Sequence, residues 1–113
     1  MNGEEFVEAI KLLVREPAII GTLQILEEPP GRNPDAALTE NAVWYASLSS
    51  QDRERLTSVL AQGVDMALFG VLCVLDGVRA IESGESKGRL EIRYVREARS
   101  VALNAERMLH DLY

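Results

Sequence analysis

Two carboxylates and a guanidinium interrupt the most apolar part of this sequence: Asp65, Asp76 and Arg79, among Val64, Met66–Leu75 and Val78. Asp65 and Asp76 are eleven residues apart, which on one α-helix leaves them about 20° out of line and about 16 Å apart. At that distance they cannot share one metal or divide acid and base work across one bond. Asp76 and Arg79 are spaced to pair at i,i+3 on a continuing helix. The three make a candidate polar site, and neutralisation by neighbours is the plainer role, since a buried charge needs a partner. His110 is the only histidine and Cys73 the only cysteine. A zinc site takes three or four nitrogen or sulfur ligands at close spacing, and neither residue has such company. His110 reads as structural or surface, Cys73 as core. With no nucleophile motif, metal-ligand cluster or phosphate loop, no catalytic residue, cofactor or metal is assigned.

Contact with another molecule is better served elsewhere. Trp44 and Tyr45 are adjacent, and tryptophan and tyrosine are enriched at interface hot spots. The segment Glu27–Pro34 holds three prolines and a glycine in eight residues, a stiff loop that loses little entropy on binding. Glu27, Glu28, Arg32, Trp44 and Tyr45 are therefore the candidate partner-binding residues. The plainer account makes the loop a helix connector and one aromatic a core residue.

Charge narrows the partner. The 113 residues carry 12 Lys and Arg against 18 Asp and Glu, a formal charge of −6. Up to Ser50 the balance is Lys11, Arg15 and Arg32 against eight acidic residues. Nucleic-acid binding draws most of its affinity from phosphate neutralisation by basic residues, so it is not expected, whereas a basic protein partner would suit. The longest uncharged run, Met66–Leu75, has ten residues, short of the roughly 18 of a membrane span. The acidic Met1-Asn2-Gly3-Glu4-Glu5 does not read as an export signal. A lone cysteine fits a reducing compartment. These features point to a soluble cytoplasmic chain folded as a single domain over residues 1–113.

The elements that must hold these residues are mostly helical. Asn2 with Glu5 has the look of a capping box, followed by Phe6, Ile10 and Leu13 at helical spacing, so a first helix is expected over Gly3–Arg15. Pro17 pushes Glu16 out of the helical region and opens a second helix to about Leu26. A third runs from about Asp35 to Leu48. Ser49 and Ser50 cap a long helix reaching Glu82, which at 1.5 Å per residue spans roughly 50 Å. Such a helix must protrude, bend or be shared, with Gly70 and Gly77 as break points. Leu68, Phe69, Leu72, Val74 and Leu75 are its expected core residues, around which the first three helices assemble. Gly63, Ala67, Gly70, Val74 and Gly77 form a seam of small residues where a neighbouring helix, from this chain or a copy, is expected to cross near Gly70.

The last segment supports two patterns. Leu90, Ile92 and Tyr94 alternate with Glu91 and Arg93 as in a strand, with Ser100–Leu103 as an antiparallel return. Val95, Ala98, Val101, Ala105, Met108 and Leu112 also fit a helix. Leu72–Glu82, with its Leu-Asp-Gly-Val-Arg-Ala-Ile-Glu run, then Lys87–Ile92, Val101–Asn104 and the closing Leu109-His110-Asp111-Leu112-Tyr113, resembles segments of short uncharacterised bacterial proteins. That resemblance implies a hairpin followed by a short terminal helix, and it carries no activity. Arg96-Glu97-Ala98-Arg99 departs from it by lacking an Asn-Gly or Asp-Gly turn. The expected fold is mostly α: a small helical domain around a long central helix, with a C-terminal β-hairpin and a short terminal helix capped by Asn104. An all-α bundle is the alternative. The expected function is protein binding or self-association, with an immunity or antitoxin-like role in that class. A small-molecule or enzymatic site near Asp65, Asp76 and Arg79, and a structural dimerising subunit, are the other readings.

Overall fold

Asn2 starts the first helix by the reciprocal pair read from sequence, Glu5 N–H donating to Asn2 Oδ1 and Asn2 N–H to Glu5 Oε2, both at 2.9 Å. The computed structural model describes residues 1–113 and orders them as α1 (Gly3–Ile10), a π-helical turn (Lys11–Arg15), α2 (Glu16–Glu27), α3 (Ala36–Ala46), α4 (Ser50–Leu75), a hairpin of β1 (Arg93–Arg96) and β2 (Arg99–Ala102), and α5 (Leu109–Leu112). The fold is mostly α with a small antiparallel hairpin and a short terminal helix.

The expected break at Pro17 does not occur. Glu16 stays helical at φ −60°, ψ −49°, and its N–H donates to the carbonyl of Lys11, five residues back. A proline in a helix lacks an N–H and crowds the carbonyl four residues before it; the wider π turn just ahead accommodates both. α1 and α2 are thus one continuous rod.

α4 is shorter than expected. It ends at Leu75, and Gly77 takes φ +78°. Val78 N–H donates to Cys73 O and Gly77 N–H to Val74 O, the paired bonds of a Schellman cap, for which glycine at the left-handed position is favoured. Gly77 is the break and Gly70 is not. Ser49 caps the other end by accepting from Asp52 N–H at 3.1 Å.

The hairpin pairs Arg93 with Ala102, Tyr94 with Val101, Val95 with Ser100 and Arg96 with Arg99. It closes without glycine because Glu97 itself adopts φ +55°, a left-handed conformation costing an L-residue roughly 1–2 kcal/mol. Leu103 N–H donates to Ile92 O at 2.8 Å, extending the ladder one step. Asn104 does not cap the last helix. Its amide ties three segments: Nδ2 donates to Leu75 O and Leu90 O, and Oδ1 accepts from Ile92 N–H. The residue that caps α5 is Asp76, whose Oδ2 accepts from His110 N–H at 2.8 Å.

These ties close a head around Val7, Leu72, Leu103 and Leu109, flanked by Phe6, Leu75, Ile92, Tyr94, Leu112 and Tyr113. Gly3 is needed there, because a Cβ would sit 2.6 Å from Leu103 O. Leu72 is core as expected and Leu68, Val74 and Leu75 are half-buried, but Phe69 is exposed. The core belongs to α1, the end of α4, the hairpin exit and α5, rather than to the first three helices around α4. The rest of the helices form an arm, with α3 packed on α2 and α2 on α4. The arm is thin: only Ile19 and Tyr45 are buried in α2 and α3.

Candidate functional site

The expected polar site is divided between two places. Asp65, at mid-α4, receives a bidentate pair from Arg15 in the π turn, Nε to Oδ1 at 2.6 Å and Nη2 to Oδ2 at 3.1 Å. Tyr113 Oη donates to the same Oδ1 at 2.5 Å. The Arg15 hydrogen bonds, then that of Tyr113, hold the Asp65 carboxyl below its ordinary 3.8, and the Asp65 contact in turn lifts the Arg15 guanidinium above its usual range. Burial first, then the Asp65 hydrogen bond, pushes the Tyr113 phenol up to about 12. Lys11 Nζ lies 5.7 Å from the centre of the Tyr113 ring. This cluster fastens the rod to α4 and to the C-terminal segment across an open surface.

Asp76 serves a different junction. Its side chain is buried, and Oδ2 also accepts from His110 Nδ1 at 2.8 Å. On the other side of the ring, Nε2 faces Asp111 Oδ1 at 3.3 Å. Phe69 meets the same ring edge-on, centroids 5.7 Å apart. A carboxylate-oriented imidazole is half of a general-base arrangement, but its second nitrogen faces another carboxylate, Asp111, rather than a nucleophile. The pair joins the end of α4 to α5.

Arg79 pairs with neither aspartate. The helix stops before it, so the i,i+3 geometry with Asp76 never forms, and the chain folds back until Arg79 Nη1 lies 2.6 Å from where a Gly70 Cβ would be. What covers Gly70 is this guanidinium, not a crossing helix. Gly63 has open space at its Cβ position. Asp76, Arg79, Glu82, Lys87 and Arg89 share an open cleft of about 430 Å³ beside the irregular segment after α4. No group of three or more His, Cys, Asp or Glu is placed to hold a metal ion.

Among the candidate partner-binding residues, Glu27, Glu28 and Arg32 are exposed and Trp44 is half-exposed. Tyr45 is buried, with the Arg53 guanidinium stacked 4.6 Å from its ring centre. Sequence reasoning missed a set of exposed apolar residues. The π turn exposes three consecutive apolar residues, Leu12, Leu13 and Val14, a run that a soluble surface does not carry without use. Val43 on α3 and Val59 and Met66 on α4 are exposed as well. The continuous triplet was visible in the sequence; its exposure was not, because an ordinary α-turn would have carried part of it inward.

No protein-family model, curated protein or solved structure matches this chain. Function therefore rests on the surfaces. By length and composition alone α4 is long and apolar enough to cross a membrane, a test that the core helix of a soluble protein also passes. The uncharged run ends at Asp65, but a single aspartate does not end an apolar helix, and the sequence of Ser58–Leu75 holds no other charge.

Proposed function

We propose that this chain is a cytoplasmic protein-binding protein that acts by presenting its apolar arm to another protein rather than by catalysis. The observation that supports it most is the exposure of Leu12, Leu13 and Val14 together at the π turn, with Val43, Val59 and Met66 open along the same arm. Soluble chains rarely leave that much apolar surface to water, and patches of this kind mark interaction sites. Asp65 is engaged through both oxygens by Arg15 and Tyr113, and Asp76 through Oδ2 by His110, while Asp76 Oδ1 is buried without a partner. An immunity or antitoxin-like role falls in the same class, and the exposed Glu27 and Glu28 would suit a basic rim on the partner.

Membrane insertion is the competing reading, since α4 has the length for it. An aspartate at a bilayer centre costs roughly 2.5–3.5 kcal/mol on insertion scales, and here Asp65 is tied to Arg15 and Tyr113 at the side of the helix. Those ties hold α4 against the rod and the C-terminal segment, which favours docking to protein. Covalent surface labelling inside the native cells tests the proposal. Leu12–Val14 and Met66 are expected to label several-fold less than in the isolated chain, while Glu27 and Glu28 change less. Equal labelling in both settings rejects it.

A further inference from the structure

We infer that the cleft beside the end of α4 binds a small zwitterion of the α-amino-acid type, its ammonium group on Asp76 Oδ1 and its acid group on Arg79 and Lys87. This site is separate from the apolar arm. The Asp76 side chain is 1% exposed, and its two oxygens are used unequally. Oδ2 meets both the backbone N–H and the Nδ1 of His110, whereas Oδ1 is enclosed and accepts from nothing in the chain. A carboxylate oxygen that has given up water without gaining a donor is costly to keep buried. An oxygen so placed invites a donor from outside the chain.

The surroundings specify the rest of the ligand. Asp76 lines the cleft of about 430 Å³ together with Arg79, Glu82, Lys87 and Arg89, and it also lines a neighbouring cleft of about 170 Å³. Carboxylates and cations thus face one space, which complements a molecule bearing both signs better than a simple anion. Arg89 is 3.4 Å from Glu91 Oε2, while Arg79 and Lys87 enter no ion pair. A guanidinium and an ammonium without carboxylate partners are well suited to an acid group. The helix favours a cation at Asp76 as well: α4 has no basic residue in its last turn, so the negative end of its dipole is left for a charge from outside. Residues 80–91, which form much of the wall, make no backbone–backbone hydrogen bond. They are tied by Gly88 N–H on Glu82 Oε2 and by Asn104 Nδ2 on Leu90 O, so a small shift of this segment admits a donor to the enclosed Oδ1.

Titration of the full chain with the standard amino acids, one at a time and followed by amide chemical shifts, is the test. Acetate and methylamine serve as single-charge probes, beside the methyl ester and the N-acetyl derivative of any amino acid that binds. Saturable shifts at Gly77, Arg79 and Lys87–Leu90 are expected with at least one amino acid. Each derivative is expected to bind about tenfold more weakly or worse, since losing either charge leaves its partner group unpaired. Asp76→Asn keeps an oxygen for the His110 N–H but turns an amide N–H toward the position of Oδ1, where it cannot accept. Lys87 is exposed, so Lys87→Ala removes a charge without touching the core, and it carries the test if Asp76→Asn loosens α5. Both variants are expected to weaken binding about tenfold or more with unchanged circular dichroism. No saturable shift with any amino acid overturns the site. Acetate binding as tightly as the amino acid, or full affinity in either folded variant, overturns the assignment of a zwitterion to these residues.

Discussion

Leu72 and Val59 lie on one helix, yet Leu72 is 3% exposed and Val59 58%. The last turns of α4 are enclosed by α1, α5 and the hairpin exit, whereas the earlier turns have α2 on one side and solvent on the other. Apolar content does not distinguish the two regions; what distinguishes them is the number of elements brought around each. Polar side chains bring those elements to the head: Asn104 joins α4 to both flanks of the hairpin, and Asp76 seats α5. The arm has Arg15 on Asp65 near its base and Arg53, which donates to Ala46 O and covers the Tyr45 ring, between α4 and α3. A closed core and an unfinished one therefore coexist on a single helix.

The largest expected contrast between them is in truncation. Leu109→Ala or Leu72→Ala in the head is expected to destabilise by about 2–5 kcal/mol, the usual penalty at a buried leucine. Leu12→Ala, at an exposed position, is expected within about 0.5 kcal/mol when measured by denaturant unfolding at low protein concentration. Equal losses at the two sites would erase the distinction. Gly3→Ala comes next: a Cβ pressed against Leu103 O cannot be relieved by a side-chain shift, and about 1–3 kcal/mol of overpacking is expected in the same assay. Gly70→Ala sharpens the point from the other side. There only the far end of Arg79 must move, so helix propensity, about 1 kcal/mol in favour of alanine, is expected to prevail and the melting temperature to hold or rise.

A smaller effect belongs to the turn of the hairpin. Glu97→Gly removes the left-handed penalty at φ +55° and is expected to stabilise by about 1 kcal/mol. The smallest concern the cluster at the base of the arm. Tyr113 is raised in the folded state from 10.0 to about 12, so its contribution is complete below pH 10.0 and lost as pH rises through about 12. Asp65 is lowered from 3.8, so its contribution is present above about pH 4 and lost as pH falls through its depressed folded value. The melting-temperature advantage of wild type over Tyr113→Phe is expected to vanish at the alkaline end, and that over Asp65→Asn at the acid end. Advantages independent of pH would show that the cluster is not coupled to folding.

Much of the framework was legible locally. Asn2 and Ser49 sit next to apolar periodicities they can cap, and Gly77 was one of two marked break points; each is a decision made within a few residues. The hairpin was legible in the alternation of Leu90, Ile92 and Tyr94, despite a turn without glycine. The failures share a non-local cause. Pro17 reads as a break until the π turn absorbs it, Phe69 reads as core until α5 supplies only a histidine edge, and Gly70 reads as a helix contact until Arg79 folds back over it. The partners of Asp65 and Asp76 lie 50 and 34 residues away, beyond any spacing rule. The open arm was the least legible of all, because an apolar helix looks the same in sequence whether its own chain or another encloses it.

Hydrogen exchange along α4, resolved by residue and compared between the isolated chain and the chain in clarified extract of its native cells, measures that difference most directly. If the head is closed by its own chain and the arm is left open for a protein partner, Leu72–Leu75 amides are strongly protected in the isolated chain while those from Val59 to Ala67 exchange faster and gain protection on adding the extract. Protection of Val59–Ala67 that in the isolated chain already equals that of Leu72–Leu75 would contradict it.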